Sequence, residues 1–288
     1  MLFKIRLIFK IISIFKLYAG SIIILNTILK KIKINYCITT CCKKDLKNLI
    51  NKLFIYDVGY PLIRIGSKKD SGYLVPKILN KIRYCFSPGV GQSISFEKNL
   101  KKYKIRSFLA DNTVQDPSSL NDKYDFVKKN LNSHNNDNNN ITLNNWIINK
   151  IKNKKEQNRL LLQMDIEGSE IKIVNNSNDN LLKKFSILII EVHYLNALST
   201  KNGLKLFDNF FSKILKNFYI YHMHANNCCG LNKIHEYDIP TVIEFGFINK
   251  ELIKFKKLIK YKLPHKLDYK CVADKKDIKI PTFFYQTN

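Results

Sequence analysis

The segment Leu160 to Glu170, LLLQMDIEGSE, constrains this chain more than any other. Its apolar run fits a strand buried on both faces, as in a parallel sheet covered by helices. The run stops abruptly at Asp165, Glu167 and Gly168. Those acids fall just past the strand's carboxyl end, where open α/β sheets place their ligands. Gly168 permits a tight exit, and Ser169 with Glu170 can open the next helix at its positive end. An ordinary strand-to-helix turn would look the same, so the other strand ends decide.

Upstream, Ile82 to Asp111 reads as strand, glycine turn, helix, strand. Apolar Ile82 to Phe86 runs into Gly89-Val90-Gly91, and Ser93 or Ser95 can cap a helix holding Phe96 and Leu100. A second strand, Ile105 to Ala110, ends on Asp111. In this layout the glycines let a nucleotide-like ligand approach the backbone. An acid ending the second strand, about twenty residues on, can accept hydrogen bonds from both ribose hydroxyls. Glu97 reads as a surface or first-turn helix charge. Ahead of this unit, Asp45 to Tyr60 reads as a helix and lead-in, and Ile65 to Pro76 as a turn around Asp70 followed by a strand.

Downstream, Asn132 to Asn140 is a solvated loop by composition, and Ile141 to Lys152 is an amphipathic helix that packs Trp146 in the core. A helix from Ser169 to about Phe185 leads to the apolar strand Ser186 to Leu195, which carries Glu191 and His193 at its end. After a helix over Gly203 to Phe218, the strand Tyr219 to Asn227 places His222 and His224 on one side. Ile239 to Ile248 is a last strand containing Glu244, and a basic helix and tail follow. Strands separated by helices give a parallel α/β sheet. The short link between the last two strands gives it an antiparallel end.

The formal net charge of +26 over 288 residues invites a nucleic-acid or anionic-membrane reading. Lysines are scattered, however, and the joint excess of Lys, Asn and Ile is what A+T-rich coding produces. No recognised module accompanies the charge, so nucleic acid is not an expected partner. The seven cysteines form no C-x-x-C pair and are odd in number, which argues for mostly reduced thiols. Residues 1–42 are basic and apolar, and Ile11 to Leu29 is a nearly continuous apolar stretch interrupted by Lys16. That stretch is marginally long enough to span a bilayer and lacks a small-residue cleavage site. We expect a membrane-associated protein with an N-terminal anchor over 1–42 and one domain over 43–288.

The segments FSPGVGQSISFE, LADNTV, ITLNNW, LLLQMDIEGSE, IIEVHYL, YHMHANNC and LPHKLDYK together resemble the FkbM family of S-adenosylmethionine-dependent methyltransferases. The resemblance runs from about Ile65 to Tyr285, and D-I-E-G-x-E is its most specific element. It implies a Rossmann-like class I methyltransferase sheet, mostly parallel with the last strand antiparallel and with helices on both faces. It further implies S-adenosylmethionine as cofactor and O-methylation of a sugar, glycan or secondary-metabolite hydroxyl. By position Gly89 and Gly91 match the cofactor-binding glycines, Asp111 the ribose-binding acid, and Asp165 and Glu167 the central acidic motif. Two departures stand out: Ser87 is where an acid usually begins the glycine motif, and Ser93 replaces a third glycine.

Methyl transfer to a hydroxyl needs alignment, exclusion of water and a base. His193 is the first candidate for that base, Asp165 the second and His224 the third. Asp165, Glu167, Glu191, His193 and His224 also have the chemistry to gather around magnesium or manganese. No close ligand spacing supports an ion, and none is expected. A nicotinamide-dependent oxidoreductase shares the layout but needs a fuller G-x-G-x-x-G pattern. A catalytically inactive scaffold of the same fold, tethered to a membrane, is the alternative from another class.

Overall fold

The computed structural model describes residues 39–68, 71–91, 93–118, 123–134 and 137–285. Seven strands make the central sheet: β1 (Tyr84–Pro88), β2 (Arg106–Ala110), β3 (Asp125–Val127), β4 (Leu160–Met164), β5 (Phe185–Val192), β6 (Phe218–Ala225) and β7 (Ile243–Asn249). Their spatial order is β6-β7-β5-β4-β1-β2-β3. The pairs β1–β2, β2–β3, β1–β4 and β4–β5 are parallel, whereas β7 runs antiparallel to both β5 and β6. This is the Rossmann-like architecture anticipated above.

Every residue of β4 and β5 is buried, and successive residues enter opposite halves of the core. Leu160, Leu162, Leu188 and Ile190 join one cluster, while Leu161, Ile187 and Ile189 join the other. Among the helices are α1 (Ser95–Leu100), α2 (Leu143–Lys150), α3 (Glu170–Asn176) and α4 (Lys201–Leu215). Trp146 of α2 is fully buried and meets Phe86 edge-on, with ring centroids 5.0 Å apart. In α4 the apolar residues Leu204, Phe207, Phe211 and Ile214 recur at helical spacing and are buried, and Thr200 caps the helix by accepting the Gly203 N–H at 3.0 Å.

The order in which the chain adds strands reverses at β1, with β2 and β3 laid on one side of it and β4 and β5 on the other. Ligand sites form at such a switch point, at the carboxyl ends of the strands. The turn after β1 and the loop after β4 meet there, and the Asp165 N–H donates to the Pro88 carbonyl at 3.3 Å.

Several local expectations are corrected. The helix expected over Ser169 to Phe185 breaks at Ser177, and Asn178 caps a separate helix, Asp179–Lys183. Consecutive Asn and Ser side chains compete for the backbone there. The helix and lead-in expected over Asp45 to Tyr60 are the helix Lys43–Ile50 and a following segment in which Tyr56–Asp57 pairs with Lys257–Leu258. That pairing, with a 3₁₀ turn at Lys250–Leu252, replaces the expected C-terminal basic helix. Ile239 and Pro240 belong to a hairpin, Leu231–Ile234 with Tyr237–Pro240, and β7 starts later.

Cys41 is buried, and its N–H donates to the Ser199 carbonyl at 2.9 Å. Cys228 and Cys229 form a disulfide, and Cys41, Cys42, Cys85 and Cys271 are free thiols. Residues 1–38, which carry most of the anchor expectation, and Asp70 lie outside the described residues. Among the described residues no helix is long and apolar enough to cross a membrane.

Candidate active site

The glycine turn leaves β1 with Gly89 and Gly91 at φ of +79° and +59°. A Cβ on Gly89 would sit 1.5 Å from the Asp165 carbonyl oxygen, so the two loops touch only because glycine is present. A Cβ on Gly91 would meet nothing within 4 Å, which leaves its backbone open to a ligand. The Gly91 N–H donates to Asp111 Oδ2 at 3.1 Å, and Asp111 Oδ1 accepts from Thr113 N–H at 2.7 Å and Thr113 Oγ1 at 2.6 Å. Burial pushes the Asp111 carboxyl up, but the hydrogen bonds from Thr113 and Gly91 outweigh it and hold it below the usual carboxylate range. Asp111 therefore stays ionised at neutral pH with lone pairs left for a diol. A cavity of about 540 Å³ opens here, lined by Gly89, Gly91, Asp111, Thr113, Asp165 and Glu167 among others.

Past β4 the chain turns through Glu167 at φ +54° and Gly168 at φ +102°. A left-handed glutamate is uncommon backbone of the kind that gathers at functional sites. Tyr194, also left-handed, lays its ring where a Gly168 Cβ would be, 2.4 Å away. Glu170, at the start of α3, has a fully buried side chain. Its Oε2 accepts the Gly168 N–H at 2.8 Å, and its Oε1 accepts the His193 N–H at 2.7 Å and lies 3.2 Å from His193 Nδ1. One carboxylate thus locks the loop after β4 to the end of β5 and orients the imidazole.

The other ring nitrogen, His193 Nε2, is 3.5 Å from Glu167 Oε2 and 3.7 Å from both Asp165 Oδ1 and Glu191 Oε1. Burial alone would lower the His193 pKa. The Glu170 hydrogen bond and the charges of Glu170, Asp165 and Glu167 overcome it, and the pKa is raised above 6.5.

The family model for the methyltransferase FkbM domain matches residues 76–221. The chain belongs to the FkbM methyltransferase family. No curated protein matches it. The matched stretch carries the glycine turn, Asp111, the acidic loop and His193, so the FkbM domain contains the whole arrangement just described. Its residues fit an S-adenosyl nucleoside: an ionised acid for the ribose, a backbone that a side chain would block, and a cavity where both meet.

The remaining predicted residues of this FkbM methyltransferase fall into two places. His224 stands apart from His193, two strands away across the sheet, with Nδ1 3.2 Å from Glu244 Oε2. Burial opposes its charge, but Glu244 prevails and the pKa is pushed up to about 9, which makes His224 a cation at neutral pH. His222 instead meets Asp268 at 2.9 Å. Ser87 is completely buried behind the glycine turn, its hydroxyl against Glu97 and Gln163. Glu97 lies in the first turn of α1, one of its two expected placements, and is buried there and not on the surface.

Among the described residues, two groups bring three ligand atoms within 4.8 Å of one another: Asp165, Glu167 and His193, and His224, Glu244 and Cys271. The first set suits a hard divalent cation. Glu170 is the functional side chain that sequence reasoning left as a helix opener, although the last acid of D-I-E-G-x-E was its signal.

Proposed function

We propose that this methyltransferase uses S-adenosylmethionine to methylate a hydroxyl of a sugar, glycan or secondary-metabolite acceptor, with His193 as general base. When bound, the cofactor supplies a methyl group activated on a sulfonium. Asp111 would hold the ribose hydroxyls, while Gly89 and Gly91 let the ligand lie against the backbone. The observation that carries the reading is the position of His193. Glu170 fixes its Nδ1, and its Nε2 faces the acids that border the large cavity. A base of this kind takes the acceptor proton at Nε2. Asp165, Glu167 and Glu191 then stabilise the imidazolium, which is why the raised pKa suits the task. Neutral His193 dominates only on the alkaline side of 6.5, so the transfer rate should rise with pH through that region.

Calorimetric titration of the full chain with S-adenosylmethionine, beside Asp111→Ala, tests the cofactor assignment. Binding that weakens at least about tenfold in the variant is expected, as for loss of charge-assisted hydrogen bonds. A folded wild-type chain that does not bind would sink the enzyme reading and leave the tethered scaffold ahead. Acceptor screening then starts with sugars and glycolipids. Membrane association through residues 1–42 belongs to the same proposal. Co-sedimentation of the full chain with phosphatidylserine vesicles checks it.

A further inference from the structure

We propose that Glu97, in helix α1 and hydrogen-bonded by Ser87, recognises the α-ammonium of the cofactor's amino-acid arm. The inference rests on the cofactor reading above. Glu97 is only 3% exposed, yet among the described residues no cation is paired with it. Its Oε1 is hydrogen-bonded by the Ser87 hydroxyl, which also lies 2.5 Å from Gln163 Oε1. Gln163 Nε2 donates in turn to the Tyr73 hydroxyl at 3.1 Å. A chain of polar side chains from three separate elements therefore fixes one carboxyl in the core of a parallel sheet. Burying an acid without a countercharge is costly, and such groups are retained where a ligand supplies the charge.

The carboxyl faces a second, smaller cavity of about 140 Å³, lined by Gly89, Gly91, Ser93, Glu97, Gln163 and Asp165 among others. Gly89, Gly91 and Asp165 also line the large cavity, so the two cavities adjoin at the glycine turn. The larger has room for a nucleoside, and the smaller only for a compact group such as the ammonium end of an amino acid. Burial raises the Glu97 carboxyl above its ordinary pKa, and the Ser87 hydrogen bond opposes the rise only in part. An arriving ammonium is the charge that would restore its ionised form.

S-adenosylhomocysteine and 5′-methylthioadenosine make the test, because both are neutral at sulfur and only the first has the amino-acid arm. In calorimetry on the full chain, Glu97→Gln should lose roughly tenfold to a hundredfold in S-adenosylhomocysteine affinity, the effect of losing a charge-assisted hydrogen bond. Its affinity for methylthioadenosine should stay within about twofold, inside the tolerance for a site left untouched. A variant that binds both compounds like wild type, or weakens equally toward both, would overturn the assignment. Wild-type protein that binds neither compound removes the cofactor reading itself, and with it this one. Should Glu97→Gln fail to fold, Ser87→Ala carries the same comparison, since it keeps the carboxylate and removes its donor. A selective loss of S-adenosylhomocysteine is expected there too, and parallel affinities would refute the role.

Discussion

Glu170→Gln changes one atom of a side chain that holds two loops together. The carboxylate accepts from Gly168 N–H on one oxygen and from His193 N–H and Nδ1 on the other. A glutamine has one acceptor and one donor, so whichever way it turns, its NH₂ meets a backbone N–H. The variant loses a hydrogen bond to a charged group and strands a buried donor, which together cost about 2–4 kcal/mol.

It also removes the main influence that holds the His193 pKa up. Burial then opposes only Asp165 and Glu167, and the pKa should fall toward or below 6.5. A histidine raised in the folded state stabilises the fold below its unfolded pKa and loses that contribution as pH climbs through the folded value. Wild-type stability should therefore carry a His193 component that fades above pH 6.5, and Glu170→Gln should lack it. Urea unfolding at pH 6 and pH 9, with NMR titration of the His193 imidazole, measures both effects. An unchanged His193 titration, or a loss of less than about 0.5 kcal/mol, would refute the reasoning.

Gly89→Ala should abolish S-adenosylmethionine binding and lower the melting temperature by several degrees, since its Cβ would lie 1.5 Å from the Asp165 carbonyl; wild-type titration curves would contradict that. Glu244→Gln should remove a pH-dependent contribution from His224 that is present below pH 6.5 and lost through about pH 9. The difference is at most roughly 3 kcal/mol between those limits, read from urea midpoints of wild type and variant. EDTA should leave methyl transfer unchanged. A loss restored by magnesium would reassign Asp165, Glu167 and His193 as ligands.

The sheet was legible because its strands are apolar runs that stop at charged or glycine residues, as at Met164-Asp165 and Ala110-Asp111. Strand ends carry chemistry in this fold, so locating the strands located Asp111, Asp165, Glu167 and His193 as well. What escaped depends on contacts between distant segments. Glu97 looks like any helix-surface acid until Ser87 and Gln163 close over it. Ser95 looks like a helix cap, but its hydroxyl instead donates to the Ser71 carbonyl at 2.8 Å and accepts from Ser67 N–H at 3.0 Å, two residues that flank the ends of the antiparallel strands Leu62–Gly66 and Gly72–Pro76. The C-terminal lysines suit a helix by local propensity, and only pairing with Tyr56–Asp57 draws the chain out. Tertiary partners decided each of these cases, and no local pattern records them.

The place of β7 has a consequence for how this protein is made. β7 is synthesised last of the sheet strands, yet it fills the slot between β5 and β6. β5, FSILIIEV, is buried along its whole length in the finished sheet. On a ribosome adding about 5–20 residues per second, its outer edge waits several seconds for a neighbour. An apolar strand with unpaired backbone groups is a template for wrong pairing with other chains. Nascent chains that stall before Ile243 should therefore aggregate or recruit chaperones, while those carried past Asn249 close the sheet from within.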